Sequence, residues 1–279
     1  MATPRTIIVP LDGSEFAARA LPVARAVANR INADMIVMST YWEGGVDGLA
    51  AYLERVAKAQ SGMAAEVLLV DEHPAASAIA SVSRSHPESI VCMTSHGRSG
   101  ARWAVLGSVT EDVVRAAQAP LLLVGRHCAA DWPSHIEHLV VCVDGSDAAE
   151  PDVPAVSDWA KALGLAVRVV LVTHPLDVES ATHPNKVVES ITARFVSQGV
   201  AATAVMLRGS YVAGTIADFA KTLPTTLVAT DTSSRHGVAR VALGSVAMGV
   251  VSLAPCPVLV TPLAMARRGG HDAPDATSS

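Results

Sequence analysis

The sequence predicts an α/β protein made of two tandem copies of one parallel β-sheet with helices on both faces. Half of the 279 residues are hydrophobic and 4% are aromatic, so Val, Ala, Leu and Ile must form the core, as in sheets buried on both faces. Short apolar runs also alternate with segments of helical periodicity, the pattern of right-handed βαβ units. Finally, the whole pattern occurs twice along the chain.

The first copy begins with a strand, Thr6–Leu11, whose apolar run ends at an Asp-Gly-Ser turn. Apolar residues recur with helical spacing over Glu15–Ile31, and Met35–Ser39 is again a short apolar run typical of a buried strand. The same alternation predicts, in order, helix Leu49–Ala59, strand Glu66–Val70, helix Ala75–Ser85, strand Ser89–Met93, a helix opened by Ser108, and strand Leu121–Gly125 after Pro120.

Two short segments identify the repeat. The L-D-G-S around Asp12 recurs as V-D-G-S around Asp144, 132 positions later, and the L-G-S-V around Gly107 recurs around Gly244, 137 positions later. The second copy therefore holds five more residues, which we expect between its second strand and the helix containing Ile216. The predicted domains are residues 1–127 and 136–264, joined by a linker within 126–138 and followed by a disordered tail, 265–279.

The stretch from Cys92 to Pro120 combines a buried strand, a glycine-containing loop and a helix start. Glycines let a backbone approach a bulky anion, and a helix N-terminus offers free N–H groups and the positive end of its dipole. Ser108 and Glu111 match the S-x-x-E capping box. The alternative is an ordinary flexible loop before a capped helix. Neither the P-loop nor the G-x-G-x-x-G fingerprint is present.

The spacing of this loop resembles that of the universal stress protein family, whose ATP-binding members carry G-x2-G-x9-G-[ST]. Here Gly97 is followed by nine residues and then Gly107-Ser108, whereas Thr94 stands where the family has its first glycine. The resemblance covers about residues 4–263. It implies two five-stranded parallel sheets in the order 3-2-1-4-5, a Rossmann-like fold of the adenine nucleotide alpha hydrolase type, and a bound ATP with Mg²⁺ held by its phosphates.

Ligands of such sheets bind beyond the carboxyl ends of the strands, and Asp12 and Thr94–Gly97 both follow strand ends. By resemblance, Asp12 and its neighbours hold the adenosine and the glycines with Ser108 take the phosphates. Asp12 as an N-cap and Val37 as a core residue are the alternatives. The implied contacts of the first copy are Asp12, Gly13, Val37, Thr94, Ser95, His96, Gly97, Arg98, Ser99, Gly100, Gly107, Ser108 and Val109.

The second copy departs from this pattern in its loop. Thr94, His96 and Gly97 align with Asp231, Ser233 and Ser234, which would add a carboxylate and a side chain beside the phosphates. We therefore expect a weaker second crevice. The residues that it retains as candidate contacts are Asp144, Gly145, Gly237, Gly244 and Ser245.

Several function classes are disfavoured. The net charge of −5 and the scattered cations indicate no nucleic-acid partner. The start of the chain lacks a leader pattern, so we expect a cytoplasmic protein. The uncharged stretch Val241–Ala266 is broken by prolines and predicts a buried helix and strand, not a membrane span. The four cysteines form no C-x-x-C pair, which argues against a metal site or a disulfide framework.

The resemblance implies a cytoplasmic ATP-binding module of stress response and regulation, acting on a still unidentified protein partner, and no motif indicates nucleotide turnover. His96 lacks an identifiable orienting group and nucleophile, so a loop histidine with a backbone hydrogen bond is the simpler interpretation. The alternatives are an enzyme that splits ATP between its α- and β-phosphates and an interaction protein without nucleotide. We expect the copies to pair through their fifth strands, Leu121–Gly125 and Val258–Pro262, and the tandem chain can form a homodimer.

Overall fold

The computed structural model describes residues 4–41, 46–60, 65–71, 74–97, 106–116, 119–133, 135–145, 152–176, 182–223, 225–231 and 243–261. The elements of the first half are β1 (Thr6–Pro10), α1 (Glu15–Ala18), α2 (Ala20–Ile31), β2 (Asp34–Thr40), α3 (Val46–Ala59), β3 (Ala65–Val70), α4 (Ala75–Ser85), β4 (Ser89–Thr94), α5 (Ser108–Ala116) and β5 (Leu121–Val124). Those of the second half are β6 (His138–Val143), α6 (Val153–Leu163), β7 (Ala166–Thr173), α7 (Thr182–Ser197), β8 (Ala202–Arg208), α8 (Val212–Lys221), β9 (Thr226–Asp231), α9 (Ser245–Leu253) and β10 (Val258–Thr261).

The strands form one sheet in the order β3-β2-β1-β4-β5-β10-β9-β6-β7-β8. Each half thus has the predicted order 3-2-1-4-5 with parallel neighbours, and the two halves meet where β5 pairs antiparallel with β10. Leu122 lies opposite Leu259 in this junction, so the predicted pairing of the fifth strands is confirmed. The strand edges that would otherwise expose unpaired N–H and C=O groups become the centre of a ten-stranded sheet.

The sheet is covered on both faces, as its short aliphatic strands require. Because side chains alternate along a strand, Ile7 and Val9 enter a core layer with α2, α6 and α7, whereas Ile8 enters a layer with α4, α5, α8 and α9. Both layers run across the β5–β10 junction. The two halves therefore share their hydrophobic core.

The predicted first helix is divided in two at Arg19. Pro22 lies in the first turn of α2, where it has no N–H to offer the carbonyl of Ala18 and its ring would collide with that carbonyl in a continuous helix.

The structure also shows where the five additional residues of the second half lie. The first residues of β2 and β7 are Asp34 and Ala166, 132 apart, while those of β3 and β8 are 137 apart, so the addition lies around α7.

Three side chains anchor the segment between the halves in the core. Cys128, Trp132 and Ile136 are 0%, 6% and 5% exposed and belong to the same core layer as α2 and α6. On that face Arg30 of α2 donates from Nε to the carbonyl of Leu163, at 2.8 Å, and so joins the halves directly. The connection between the halves is thus part of the core.

The uncharged stretch near the end of the chain forms α9 and β10, as expected. Ala247, Val250 and Val251 are buried, and the first three residues of β10 are buried as well. Gly125 lies so close to the carbonyl of Val251 that a side chain there would collide with it. Across the described ranges, no helix has the length and apolar character needed to cross a membrane.

Candidate functional site

A cavity of about 730 Å³ opens at the carboxyl ends of β1, β2 and β4, between α3 and the start of α5. Its position is that expected for a ligand site in a parallel sheet whose strand order reverses at β1 and β4. The predicted contact residues that line it are Asp12, Gly13, Thr94, His96, Gly97, Gly107, Ser108 and Val109.

Asp12 is fixed in the cavity wall by the turn after β1. Gly13 adopts φ 82°, a conformation that favours glycine, and the carboxylate of Asp12 accepts a hydrogen bond from the N–H of Ser14 at 2.9 Å. Ser14 itself caps α1, because its hydroxyl accepts from the N–H of Ala17 at 3.1 Å. Asp12 is therefore not the N-cap of the first helix, and its alternative interpretation from the sequence is wrong.

The loop after β4 is held at both of its ends. Thr94 donates from its hydroxyl to the carbonyl of His96 at 2.6 Å, and its own carbonyl accepts from the hydroxyl of Thr110 at 3.1 Å. The N–H of Gly107 donates to the carbonyl of Ser95 at 2.7 Å. These bonds set the start of α5 against the end of β4. Arg98, Ser99 and Gly100, which sequence analysis assigned to this loop, lie outside the described residues, as does Arg102.

Gly97 approaches Asp12 closely. A Cβ atom at Gly97 would lie 2.5 Å from the carboxylate oxygen Oδ2 of Asp12, closer than atoms can approach without a shift. A Cβ at Gly107 would lie 3.4 Å from the Cα of His96, so a branched side chain there would meet backbone. A side chain at Gly97 would therefore displace the Asp12 carboxylate, and at Gly107 there is room for a Cβ but little beyond it.

The N-terminus of α5 supplies hydrogen-bond donors to the cavity. The carbonyl of Gly107 accepts from the N–H of Glu111, so Gly107 is the N-cap and Ser108 is the first helical residue. The amides of Ser108, Val109 and Thr110 consequently have no acceptor within the helix, and all three residues line the cavity. The predicted capping box at Ser108 is wrong, because the N-cap lies one residue earlier. The carboxylate of Glu111 pairs with Arg115 instead of reaching back to the helix start.

His96 is 6% exposed and is oriented by two side chains. The Nη2 of Arg126 lies 3.3 Å from Nε2, and because a guanidinium can only donate, Nε2 is the acceptor. The proton then sits on Nδ1, which donates to the hydroxyl of Ser95 at 2.9 Å. The ring also meets Phe16 edge-on, with centroids 6.3 Å apart. His96 is thus held in the cavity wall by two side chains, whereas sequence analysis favoured a backbone hydrogen bond.

One side of the cavity was not predicted. Tyr41 follows β2, and Gly48, Leu49 and Tyr52 come from α3, where their helical spacing could have indicated a common face. Burial, and secondarily the charge of Asp12, raise the pKa of Tyr52, and its buried hydroxyl has no hydrogen-bond partner among the described residues.

Val37, which sequence analysis expected at the cavity, is fully buried in the core, and its neighbour Met38 lines the cavity in its place.

The second half repeats the scaffold of the site. Gly145 has φ 75°, like Gly13, after the carboxyl end of β6, and Asp144 precedes it. Gly244 is the N-cap of α9, and Ser245 is its first helical residue. Gly237 lies outside the described residues. Within the described part of the chain, no group of three or more His, Cys, Asp or Glu side chains could hold a metal ion.

Comparisons with known proteins agree with this architecture. The model of the family described as "Universal stress protein family" matches residues 3–125 and again residues 135–262. A functionally unknown protein from Pseudomonas aeruginosa PAO1 is 14% identical, with a TM-score of 0.68 over 93% of this chain and 92% of that chain. A universal stress protein from Archaeoglobus fulgidus is 17% identical, with a TM-score of 0.65 over 94% of this chain and 99% of that one.

A shorter Archaeoglobus fulgidus universal stress protein, solved in complex with dAMP, covers 44% of this chain and 96% of its own length, at 21% identity and a TM-score of 0.37. No match was found among curated proteins. The family model accounts for most of the chain in two successive matches, and the full-length structural matches have the same fold. The chain belongs to the universal stress protein family.

Proposed function

We propose that this protein binds an adenine nucleotide, ATP with Mg²⁺, in the cavity of the first half and acts as a cytoplasmic regulatory module with little or no turnover. The observation that supports the proposal is the arrangement of charge around the cavity. A carboxylate, Asp12, occupies one side, and the N-terminal amides and positive dipole end of α5 occupy another. A nucleotide has the complementary arrangement of a neutral nucleoside and an anionic tail.

The walls match the nucleoside part. The cavity volume of about 730 Å³ lies within the range that accommodates small-molecule ligands. Met38, Tyr41, Tyr52 and Ile79 provide apolar and aromatic surface for a flat base. Asp12 can only accept hydrogen bonds when ionised, so it suits a ribose hydroxyl or an exocyclic amine and opposes a phosphate.

The phosphates belong at the start of α5. Backbone amides at a helix N-terminus bind anions without any cationic side chain, and Ser108 adds a hydroxyl at the same place. Arg98 and Arg102 flank this position in the sequence and would add charge-assisted donors. The described residues offer no carboxylate cluster for a metal ion, so Mg²⁺ would be carried by the phosphates.

The proposal is tested by identifying what the purified protein carries and binds. The native protein is denatured, and any released nucleotide is identified by mass spectrometry; the refolded or nucleotide-stripped protein is then titrated with Mg-ATP and Mg-GTP. We expect an adenine nucleotide to be released and ATP to bind more tightly than GTP. Absence of binding by either nucleotide would leave the interaction protein without nucleotide as the better description.

The same samples distinguish binding from turnover. An enzyme that splits ATP between its α- and β-phosphates would release AMP and pyrophosphate steadily. Both ring nitrogens of His96, the histidine of the cavity wall, already have partners in Arg126 and Ser95, which does not favour its use as a general base. We expect ATP incubated with the protein to remain intact for much longer than one nucleotide stays bound, with no steady release of AMP.

A further inference from the structure

We propose that Arg126 is a positioning residue that couples the nucleotide cavity to the segment between the halves, so that a bound nucleotide stabilises that segment, residues 126–137, hereafter the connector. This inference rests on the proposed function, because the coupling is an effect of the bound nucleotide on the connector. Arg126 is the second residue after β5 and was assigned no role from the sequence.

The first link joins the cavity wall to the connector. His96 lines the cavity, and the Nη2 of Arg126 donates to its Nε2 at 3.3 Å. This bond fixes the tautomer of His96 and, through Nδ1, the hydroxyl of Ser95. The carbonyl of Ser95 in turn accepts from Gly107, the N-cap of α5. A residue of the connector therefore orients both the loop after β4 and the helix start to which the phosphates are assigned.

The second link returns from the connector to the first helix. Arg19, at the junction of α1 and α2, donates to the backbone carbonyl of Arg126 at 3.3 Å and also to that of Cys128. Its guanidinium lies over the ring of Phe16, 5.3 Å from the centroid, and that ring meets His96. His96, Arg126, Arg19 and Phe16 thus form a closed ring of contacts around the start of the connector.

The third link runs along the connector to the second half. Cys128, Trp132 and Ile136 are buried in the core layer that both halves share. At its end, the N–H of Glu137 donates to the carbonyl of Thr225, just before β9, and the carbonyl of Glu137 accepts from the first residue of β7, both at 2.9 Å. The connector is therefore held at the cavity by Arg126 and in the second sheet by Glu137.

A bound nucleotide strengthens the first link by charge. An anion at the start of α5 attracts the guanidinium of Arg126 toward the cavity wall, where it already donates to Nε2 of His96. Binding then opposes opening of the connector, and by linkage an ordered connector favours binding. The aligned position of the second half is Leu263, so the sequence provides this coupling to the first cavity alone.

Hydrogen exchange of the full-length chain, with and without saturating Mg-ATP, tests the coupling. We expect ATP to slow amide exchange in the connector by about tenfold in the wild type. In Arg126→Met this protection should be lost and ATP affinity should fall by about tenfold. Arg126→Lys keeps the charge without the planar fork, so it should regain part of both effects.

The matched control is Arg30→Met. Arg30 also joins the halves, from α2 to the carbonyl of Leu163, but it does not line the cavity. We expect it to lower thermal stability while leaving ATP affinity and connector protection as in the wild type. If Arg126→Met does not fold, Arg126→Lys provides the comparison with Arg30→Met.

The outcomes separate the two proposals. ATP binding without connector protection in the wild type would overturn the coupling and leave the proposed function intact. Equal losses in Arg126→Met and Arg30→Met would also overturn it, because Arg126 would then be a general stabiliser of the junction. No ATP binding by the wild type would overturn the proposed function and, with it, this inference.

Discussion

The first crevice holds its loop by contacts that the second crevice cannot copy. In the first half the hydroxyl of Thr110 bonds to the carbonyl of Thr94, and Gly107 packs against the backbone of Ser95 and His96. In the second half the residue aligned with Thr110 is Ala247, which has no hydroxyl. Among the described residues, no atom lies within 4 Å of the place that a Cβ of Gly244, the counterpart of Gly107, would occupy. The strands and helix starts are nevertheless the same.

This difference shows which part of the architecture determines a site. The turns at Gly13 and Gly145 have nearly equal φ angles, 82° and 75°, so the scaffold of the crevice persists in both halves. What changes in the sequence is a small set of residues around the crevice, where Thr94 is replaced by Asp231 and Thr110 by Ala247. A duplicated domain can therefore keep its structural role while its ligand chemistry diverges.

The largest effect is expected when the N-cap glycines of α5 and α9 are each replaced by valine. Gly107→Val would place a branched side chain against the backbone at His96, which costs about 3 kcal/mol by overpacking, and we expect ATP affinity to fall by roughly a hundredfold or more. At Gly244 the Cβ position meets no atom of the described part of the chain, so Gly244→Val should leave that affinity within about twofold. Both affinities are measured by calorimetry on variants whose folding is verified by circular dichroism. Equal losses in the two variants would contradict the assignment of the site to the first half.

The intact chain should also show unequal sites. The second loop presents Asp231 in place of Thr94, and a carboxylate about 5 Å from a phosphate costs on the order of 3 kcal/mol at an effective dielectric near 20, or roughly a hundredfold in affinity. Titration with Mg-ATP should thus give one tight site per chain. Two sites of equal affinity would show that the change at Asp231 does not matter.

A smaller effect is expected at the contact between Gly97 and Asp12. In Gly97→Ala the new Cβ would push the Asp12 carboxylate aside, and we expect ATP affinity to fall by about tenfold. If the displaced carboxylate is the cause, the double variant Gly97→Ala with Asp12→Asn should lose less than the sum of the two single losses. Additive losses would point to a contact of Gly97 with the ligand itself.

We expect the halves to be alike in how burial of a cysteine affects their stability at high pH. Burial raises the pKa of Cys92 in β4 and of Cys256 before β10. Each thiol stays protonated in the folded chain but ionises above about pH 8.5 when unfolded, so the free energy of unfolding falls as pH rises, by about 1.4 kcal/mol per pH unit for each thiol. Below that pH the contribution is fully present.

Replacing either cysteine by alanine should therefore reduce this slope by the same amount. Denaturant unfolding of Cys92→Ala and Cys256→Ala at several values between pH 9 and 10.5 measures it. A slope that responds to one replacement and not to the other would show that the two halves differ in their cores as well as in their crevices.

Much of this architecture follows from the sequence for identifiable reasons. The duplicated L-D-G-S and L-G-S-V segments determine the tandem arrangement, and the strand order came with the family resemblance. The positions of Asp12 and Thr94 just past two strands were sufficient to place the crevice, because parallel strands end at a common edge.

The remaining features depend on contacts that are distant in sequence. Tyr52 lines the cavity because α3 packs over the ends of the strands, and the rotation of a helix over a sheet is set by its packing partners. Val37 was expected at the cavity, but it lies in the core. Both faces of β2 are buried, so the alternation of side chains assigns residues to two faces without showing which face borders the cavity. Arg126 lay in an assumed linker, where no local pattern indicates a contact with His96.

The antiparallel pairing of β5 with β10 also determines the direction in which each crevice opens. Since the strands of the two halves run in opposite directions across that junction, their carboxyl ends emerge at opposite edges of the sheet. The cavity of the first half and the carboxyl ends of β6 and β9 therefore lie at opposite ends of the strands. A single ligand cannot contact both, so the two halves cannot form one shared site.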